Sequence, residues 1–372
     1  MQGVAKVRLP SLDVMRGLTV ALMILVNNSG DGAHSYPLLQ HSRWNGCTLA
    51  DLVFPGFLFM VGLSSVYAVA ARQRQGASSR EIVFHALRRG GLLFCLGILI
   101  NIFPFFHLDT LRVFGVLQRI ALCSLAASLL LLHCRFRALV GVVSGILLGY
   151  WVLLRWMPVP GLGWPGVNIA FLDPYANFPA WLDRHLLPAS HLYHQSFYDP
   201  EGLLSTLPAL ATTLTGALTG MWLRKFPQKS FALLASGITM LAVSLLWAEW
   251  LPWNKRLWTS SYALGTAAIS LLAFWLLHQL LDGEGKRTAW SLPAKVFGVN
   301  ALAAYLFSEL LALTLAAVRF SSGVNLQKVV FYPIAAMVPD LSLAALIYSI
   351  LFVLVCLLMA SWLYIYRVFI KL

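Results

Sequence analysis

QHSRWNGCTLADLVFPGFLFMVG, Gln40 to Gly62, decides how this chain reads. It opens as a polar loop with His41, Arg43, Trp44 and Asn45, and turns into a long apolar helix with no spacer. Asp51 falls in the first turns of that helix. Titratable and aromatic groups are therefore packed against a segment long enough to cross a bilayer, which needs roughly 20 mostly apolar residues. Any chemistry is expected where this loop meets the membrane.

The rest of the chain repeats the apolar half of that pattern. Of its 372 residues 59% are hydrophobic and 11% charged, with mean hydropathy +0.76. A soluble domain carries about 25% charged residues. Backbone groups in lipid must pair within the segment, so long continuous apolar runs mean helices. A barrel would instead show alternating segments of about 10 residues. The expected fold is an all-α polytopic membrane protein of ten transmembrane helices, one domain over residues 1–372. The spans are placed at about Ser11–Ser29, Leu49–Ala71, Gly90–Phe103, Val113–Leu132, Ala138–Trp156, Leu203–Leu223, Phe231–Leu251, Trp258–Leu281, Ala294–Val318 and Leu341–Ile370. Residues 157–202 form the longest polar loop. Asp13 and Arg16 interrupt the first apolar run, and nine spans follow it, so it is not expected to be a signal peptide.

Ten spans put both termini on one side, and the Lys/Arg bias says which. With the N-terminus cytoplasmic, seventeen Lys and Arg fall on inner segments and eight on outer ones. Both termini are then cytoplasmic, and the His41 loop and the 157–202 loop face outward. The net charge of +13 follows from this loop bias. No basic face with interleaved aromatics appears, so no nucleic-acid partner is expected. The five cysteines form no CxxC and imply neither a disulfide framework nor a zinc site.

Charged groups within spans are costly and are candidate functional groups. They are Asp13, Arg16, Asp51, Arg119 and Glu309, with Gln118, Asn27, Asn28, Asn101 and Asn300 as polar company. Each also has a plain reading as interhelical polar contact, worth about 0.6 kcal/mol on average. Asp13 and Arg16, three apart, can pair with each other, and Arg119 can pair with Asp51 or Glu309. Among the histidines, His191 and His194 are spaced for one helix face, but no third ligand lies near, and no metal is expected. His41 is followed closely by an amide, an aromatic and a carboxylate. An imidazole there can exchange a proton near neutrality or carry an acyl group. No GxSxG, HExxH or P-loop is present.

SLDVMRGLTVALMILVNNSG, HSRWNGCTLADLVFPGFLFMVG, LRVFGVLQRIAL, YDPEGLLSTLPAL and NKRLWTSSYAL occur in this order. With FGVNALAAYLFSE at Phe297–Glu309 they resemble the heparan-α-glucosaminide N-acetyltransferase family, in particular its short bacterial homologues. The resemblance implies a membrane acyltransferase of the bacterial inner membrane. It would move an acetyl group from cytosolic acetyl-CoA to the amino group of a glucosamine-type sugar on the periplasmic side. It further implies His41 as catalytic base or acyl carrier, accompanied by Asn27 or Asn28. Asp51 or an Asn amide could fix the tautomer of that imidazole. Trp44, Asn45, Arg112, Gln118, Arg119, Glu201, Asn254, Lys255 and Trp258 are implied to line the substrate site, and a homodimer is the implied assembly. The lysosomal members carry an additional N-terminal region ahead of the first span, so a different acceptor specificity is expected here. A bacterium has no lysosomal heparan, so the expected acceptor is an amino sugar derived from cell wall or chitin. The alternative is an amino-sugar transporter with the intramembrane polar groups as its path. The missing repeat symmetry weighs against it.

Overall fold

The computed structural model describes residues 9–282, 289–321 and 323–370. Lys6, Arg8, Lys286, Arg287 and Lys371 of the charge count lie outside the described residues. Thirteen α-helices run in order among the described residues. They are α1 Pro10–Asn27, α2 Leu49–Arg74, α3 Ser79–Ile102, α4 Val116–His133, α5 Phe136–Trp156, α6 Phe178–Leu186 and α7 Thr206–Lys225. The others are α8 Phe231–Ala248, α9 Ser260–Leu281, α10 Leu292–Val299, α11 Ala301–Ala317, α12 Leu326–Met337 and α13 Leu341–Ile365. Eight of them (α1 to α5, α8, α9 and α13) are long and apolar enough to cross a membrane, and the bent pair α10–α11 makes a ninth. The protein is an all-α, multi-pass membrane protein.

The ten expected spans are these nine and α7. α7 falls below the others in apolarity because its buried face is threonine-rich. Thr213, Thr215 and Thr219 donate to the carbonyls four residues back, at 3.1, 2.9 and 3.0 Å. The hydroxyls are thus satisfied inside the helix, so it tolerates complete burial. Three further departures have local causes. The loop read between the second and third spans is largely helical, because Ser78 and Glu81 form a capping box that starts α3 eleven residues early. The ninth span is broken. Asn300 leaves helical geometry, and α10 and α11 meet at 74°. Its amide donates to Val368 O at 3.0 Å and accepts from Ile370 N at 3.1 Å, so the break is held by the chain that follows α13. Lastly α12, twelve residues with an internal Pro333, lies between the ninth and tenth expected spans, too short to be a span itself.

The chain divides into two compact units. The first comprises residues up to Tyr36 together with those from Leu272 onward, and the second runs from Pro37 to Leu271. In the first unit α1 and α10 touch backbone to backbone. A Cβ on Gly17 would stand 1.6 Å from Ala294 O, and one on Gly298 would stand 1.7 Å from Asp13 O. Asp13 and Arg16 pair as expected, at 3.7 Å. Asp282 receives Ser11 N at 2.9 Å and lies 2.6 Å from His278 Nδ1, which fixes the start of α1.

The second unit is centred on α2, which is almost wholly buried. It lies against α7 with the same glycine contact. A Cβ on Gly62 would stand 1.7 Å from Thr213 O, and one on Gly216 would stand 1.9 Å from Phe59 O. Without a hydrophobic drive between helices in lipid, such close small-residue contacts carry the packing through dispersion. The consequence for function is that the N-terminus of α2 is a rigid platform.

Candidate functional site

Thr48 caps α2, and Asp51 stands three residues on. The Thr-x-x-Asp spacing is a capping-box pattern, in which the acidic side chain reaches back to the cap. Asp51 Oδ2 accepts from Thr48 N at 3.0 Å and from Ser42 N at 3.0 Å, and Thr48 Oγ1 lies 3.1 Å away. The threonine hydroxyl also donates to Gln40 O at 2.6 Å, which ties the loop onto the helix start. Tyr262 of α9 donates to Asp51 O at 2.6 Å from below. The carboxylate sits where a helix N-terminus favours negative charge.

That fully occupied Oδ2 leaves Oδ1 for chemistry. His41 Nδ1 lies 2.9 Å from it. A carboxylate can only accept, so Nδ1 carries the proton and Nε2 holds the lone pair. Asp51 is completely buried, whereas the His41 side chain is 43% exposed. The dyad thus has a sealed orienting end and an open reacting end.

Lys255 completes the cluster. Its Nζ is 3.5 Å from Asp51 Oδ1, 3.0 Å from His41 Nδ1 and 3.3 Å from His41 Nε2. An atom nearly equidistant from both ring nitrogens cannot lie in the ring plane, because the ring's own carbons would block it. Nζ therefore stands over the imidazole face. Burial pulls the Lys255 amine below the ordinary lysine range, opposed by the charges of Asp51 and Glu201 and reinforced by Arg256. Cys47 is no rival nucleophile, since burial pushes its thiol up to about 12.

Lys255 is held by a loop stitched to the His41 loop. Gly46 N donates to Trp253 O at 2.7 Å, with Gly46 at φ +110°, a left-handed conformation that glycine adopts without strain. Asn254 Nδ2 donates to Asn45 Oδ1 at 3.0 Å, while Asn254 Oδ1 accepts from Leu257 N at 2.9 Å. Trp44 donates to Leu172 O at 2.8 Å and meets Tyr198 edge-on, and Arg256 donates to the Tyr198 hydroxyl at 2.7 Å.

A second charged group belongs to the same unit. Arg112 grips Asp199 bidentately, at 2.9 and 2.6 Å, and also bonds Glu201. Burial would lower the Arg112 guanidinium, but its two carboxylate partners hold it above the ordinary arginine range. Burial likewise raises the Glu201 carboxyl, and Arg112, Arg119 and Lys255 together bring it below its usual value. Behind them Asp183 is buried and pushed up to about 7, by desolvation first and by Asp199 nearby. Arg119 donates to Ser205 Oγ at 2.5 Å and Gly202 O at 3.2 Å and lies over Trp258. Its Nε and Nη1 are buried without a partner.

The structure thus brings His41, Asp51 and Lys255 together, with Asn45 and Asn254 bonded to each other in the adjoining loops and Trp44 tied in through the loop. Arg112 and Glu201 form the neighbouring charged group. Gln118, Arg119 and Trp258 are fully buried and stand behind these residues. The pairing of Arg119 with Asp51 or Glu309 is not what forms; its partners are Ser205 and the Gly202 carbonyl. Glu309, like Asn27 and Asn28, belongs to the first unit, where Asn28 Nδ2 bonds Ile24 O at 2.8 Å and Glu309 bonds Asn27. His191 and His194 do not share a helix face. His191 Nδ1 takes Leu111 O at 2.7 Å, and His194 sits in a turn at φ +49°. Sequence reasoning missed Asp199 and Arg256 as site residues. Asp199 lies in the same YDPEG stretch as Glu201, and a buried arginine with planar, bidentate geometry points to a carboxylate in such a stretch.

A family model described as "Heparan-alpha-glucosaminide N-acetyltransferase, catalytic" matches residues 8–248. Human heparan-alpha-glucosaminide N-acetyltransferase is 28% identical over 358 residues, covering 81% of this chain and 53% of the human protein. The mouse protein of the same name is 28% identical over 357 residues, covering 82% of this chain and 54% of its own length. The chain spans about half the length of the curated relatives it matches. The matched segment holds His41, Asp51, Arg112 and Glu201 and ends just short of the loop that carries Lys255. The chain belongs to the heparan-α-glucosaminide N-acetyltransferase catalytic family.

Proposed function

We propose that this protein is a transmembrane acetyltransferase. It moves an acetyl group from acetyl-CoA to the amino group of a glucosamine-type sugar, with His41 as the reacting imidazole. The single observation that carries this reading is the His41–Asp51 pair, with its orienting carboxylate sealed and its imidazole open. The family membership supports the reaction class. The proposed setting is the inner membrane of a bacterium, with the His41 loop on the periplasmic side and both termini cytoplasmic. The Lys/Arg bias of the loops supports that orientation.

The chemistry follows from the tautomer. With Nδ1–H donated to Asp51, Nε2 takes a proton from the sugar amine as nitrogen attacks the thioester carbonyl. The new C–N bond forms, the C–S bond breaks, and the proton passes to the CoA thiolate. Alternatively Nε2 itself attacks, the C–S bond breaks and CoA leaves as its thiolate. The amine then attacks the acetyl-imidazolium, the Nε2–C bond breaks, and the amine proton passes through the freed Nε2 to solvent or thiolate. In both routes Asp51 balances the charge that the imidazole acquires. A burst of CoA release in the absence of sugar marks the carrier route. A homodimer is the proposed assembly. The experiment is to incubate protein in liposomes with labelled acetyl-CoA and glucosamine. N-acetylglucosamine formed by the wild type supports the reading. Uptake of unmodified sugar, independent of acetyl-CoA, would replace it with transport.

A further inference from the structure

We infer that Lys255 is a catalytic ammonium, donating a hydrogen bond to the oxyanion that forms when the acetyl carbonyl is attacked at His41. This rests on the acetyl-transfer reading and assigns a role to a residue otherwise placed only among the site-lining groups.

The geometry of the ring carries the argument. A hydrogen bond to an imidazole nitrogen lies in the ring plane. Nζ at 3.0 and 3.3 Å from the two nitrogens is over the face instead. Its N–H groups are therefore not consumed by the imidazole. Asp51 Oδ1, at 3.5 Å, is the partner that holds it. Nδ1 is committed to Asp51, so the reacting atom is Nε2, and the ammonium stands beside it. An acetyl group on Nε2 lies coplanar with the ring by conjugation. Attack on it comes from a ring face, and its oxygen gains charge as it leaves that plane. An acetyl group attacked by an amine hydrogen-bonded to Nε2 passes through the same neighbourhood. In either route an N–H donor over the ring meets charge that is absent from the ground state, where such a donor is worth most.

Burial strengthens the case. Only 16% of the Lys255 side chain is exposed, so the ammonium acts in a poorly solvated setting. The groups that face it are Asp51 from α2, His41 from the preceding loop, Glu201 from the 187–205 segment and Arg256 beside it. Burial pulls the amine's proton off earlier than in an ordinary lysine, while Asp51 and Glu201 favour the charged form and Arg256 opposes it. The Asp51 carboxylate at 3.5 Å is the counter-charge that the ammonium faces.

The test compares Lys255→Met and Lys255→Arg with the wild type, each in liposomes with acetyl-CoA and glucosamine. Loss of one preorganised donor costs about 10²–10³-fold in kcat. Lys255→Met is expected to show that loss, with KM for acetyl-CoA within about threefold. Lys255→Arg is expected to recover at least tenfold over Lys255→Met. In the wild type kcat falls at high pH as the ammonium deprotonates, and Lys255→Arg carries that fall to higher pH. A merely structural ion pair with Asp51 would alter thermal stability without moving the alkaline limb. Unchanged kcat in Lys255→Met with raised KM would overturn the inference, as would an alkaline limb that stays in place in Lys255→Arg. If Lys255→Met does not fold, the pH profiles of the wild type and Lys255→Arg decide alone. Failure of the inference leaves the wild type active, whereas a wild type that makes no N-acetylglucosamine removes the acetyl-transfer reading and this role with it.

Discussion

Replacing Asp51 by Asn separates its two duties. The side chains have the same shape, but the amide has only one acceptor oxygen. At Oδ2 it must face the amides of Ser42 and Thr48, both at 3.0 Å. An NH₂ there would oppose two N–H donors, so the oxygen takes that side. The NH₂ then faces His41 Nδ1, which must become the acceptor. The imidazole proton moves to Nε2, and the reacting nitrogen loses its lone pair. In a serine-protease triad the equivalent tautomer swap costs about 10⁴ in kcat. With Lys255 also losing its counter-charge, Asp51→Asn is expected to lower kcat by about 10³–10⁴, or about 4–5.5 kcal/mol of barrier. Stability falls less. The bonds from Ser42 N and Thr48 N become neutral ones, and a largely buried ammonium loses its partner, for about 2–4 kcal/mol in all. The assay is transfer of labelled acetyl to glucosamine at saturating substrates, with thermal unfolding in the same detergent. A folded Asp51→Asn protein within tenfold of wild-type kcat would refute the tautomer argument.

Other expectations follow from the same geometry. Arg112→Lys keeps the charge but cannot hold Asp199 bidentately and Glu201 at once, so it is expected to cost about 1.5–3 kcal/mol of stability, read by thermal unfolding. Asp183, pushed up by burial to about 7 in the fold against an ordinary 3.8, keeps its proton in the folded protein at pH values where the unfolded chain has lost it. Its contribution is fully present below the unfolded value and is lost as pH rises through about 7. Asp183→Asn has no proton to lose, and can place its NH₂ at the unpartnered Oδ1 position. Its unfolding free energy relative to wild type is therefore expected to rise between pH 5 and pH 8, and a constant difference would contradict this. Gly62→Ala forces α2 from α7, since its Cβ would stand 1.7 Å from Thr213 O. It is expected to destabilise by about 3 kcal/mol or more and to lower the yield of folded protein.

What was legible in the sequence was what is local along the chain. Spans are set by length and apolarity, and His41 and Asp51 are ten residues apart, joined across one helix start. The Thr48-x-x-Asp51 spacing could have shown even the tautomer logic, because a capping box fixes where the carboxylate points. Asn254 and Lys255 are more than two hundred residues from His41, and nothing in their local pattern announces the pairing. They entered through the family likeness. Asp199 stayed hidden because its partner Arg112 lies 87 residues away, and nothing local announces the pairing. The break at Asn300 is unreadable locally, since its amide is satisfied by backbone at Val368 and Ile370. α7 was legible as a helix, but its threonines disguise how completely it is buried. Their hydroxyls count as polar in any composition, yet are bonded inside the helix.

The central claim is that the His41 imidazole transfers the acetyl group. The most direct test is labelled acetyl transfer to glucosamine by His41→Ala, in protein whose folding and membrane insertion match the wild type. The account predicts loss of turnover to background. N-acetylglucosamine formed at more than a tenth of the wild-type rate would contradict it.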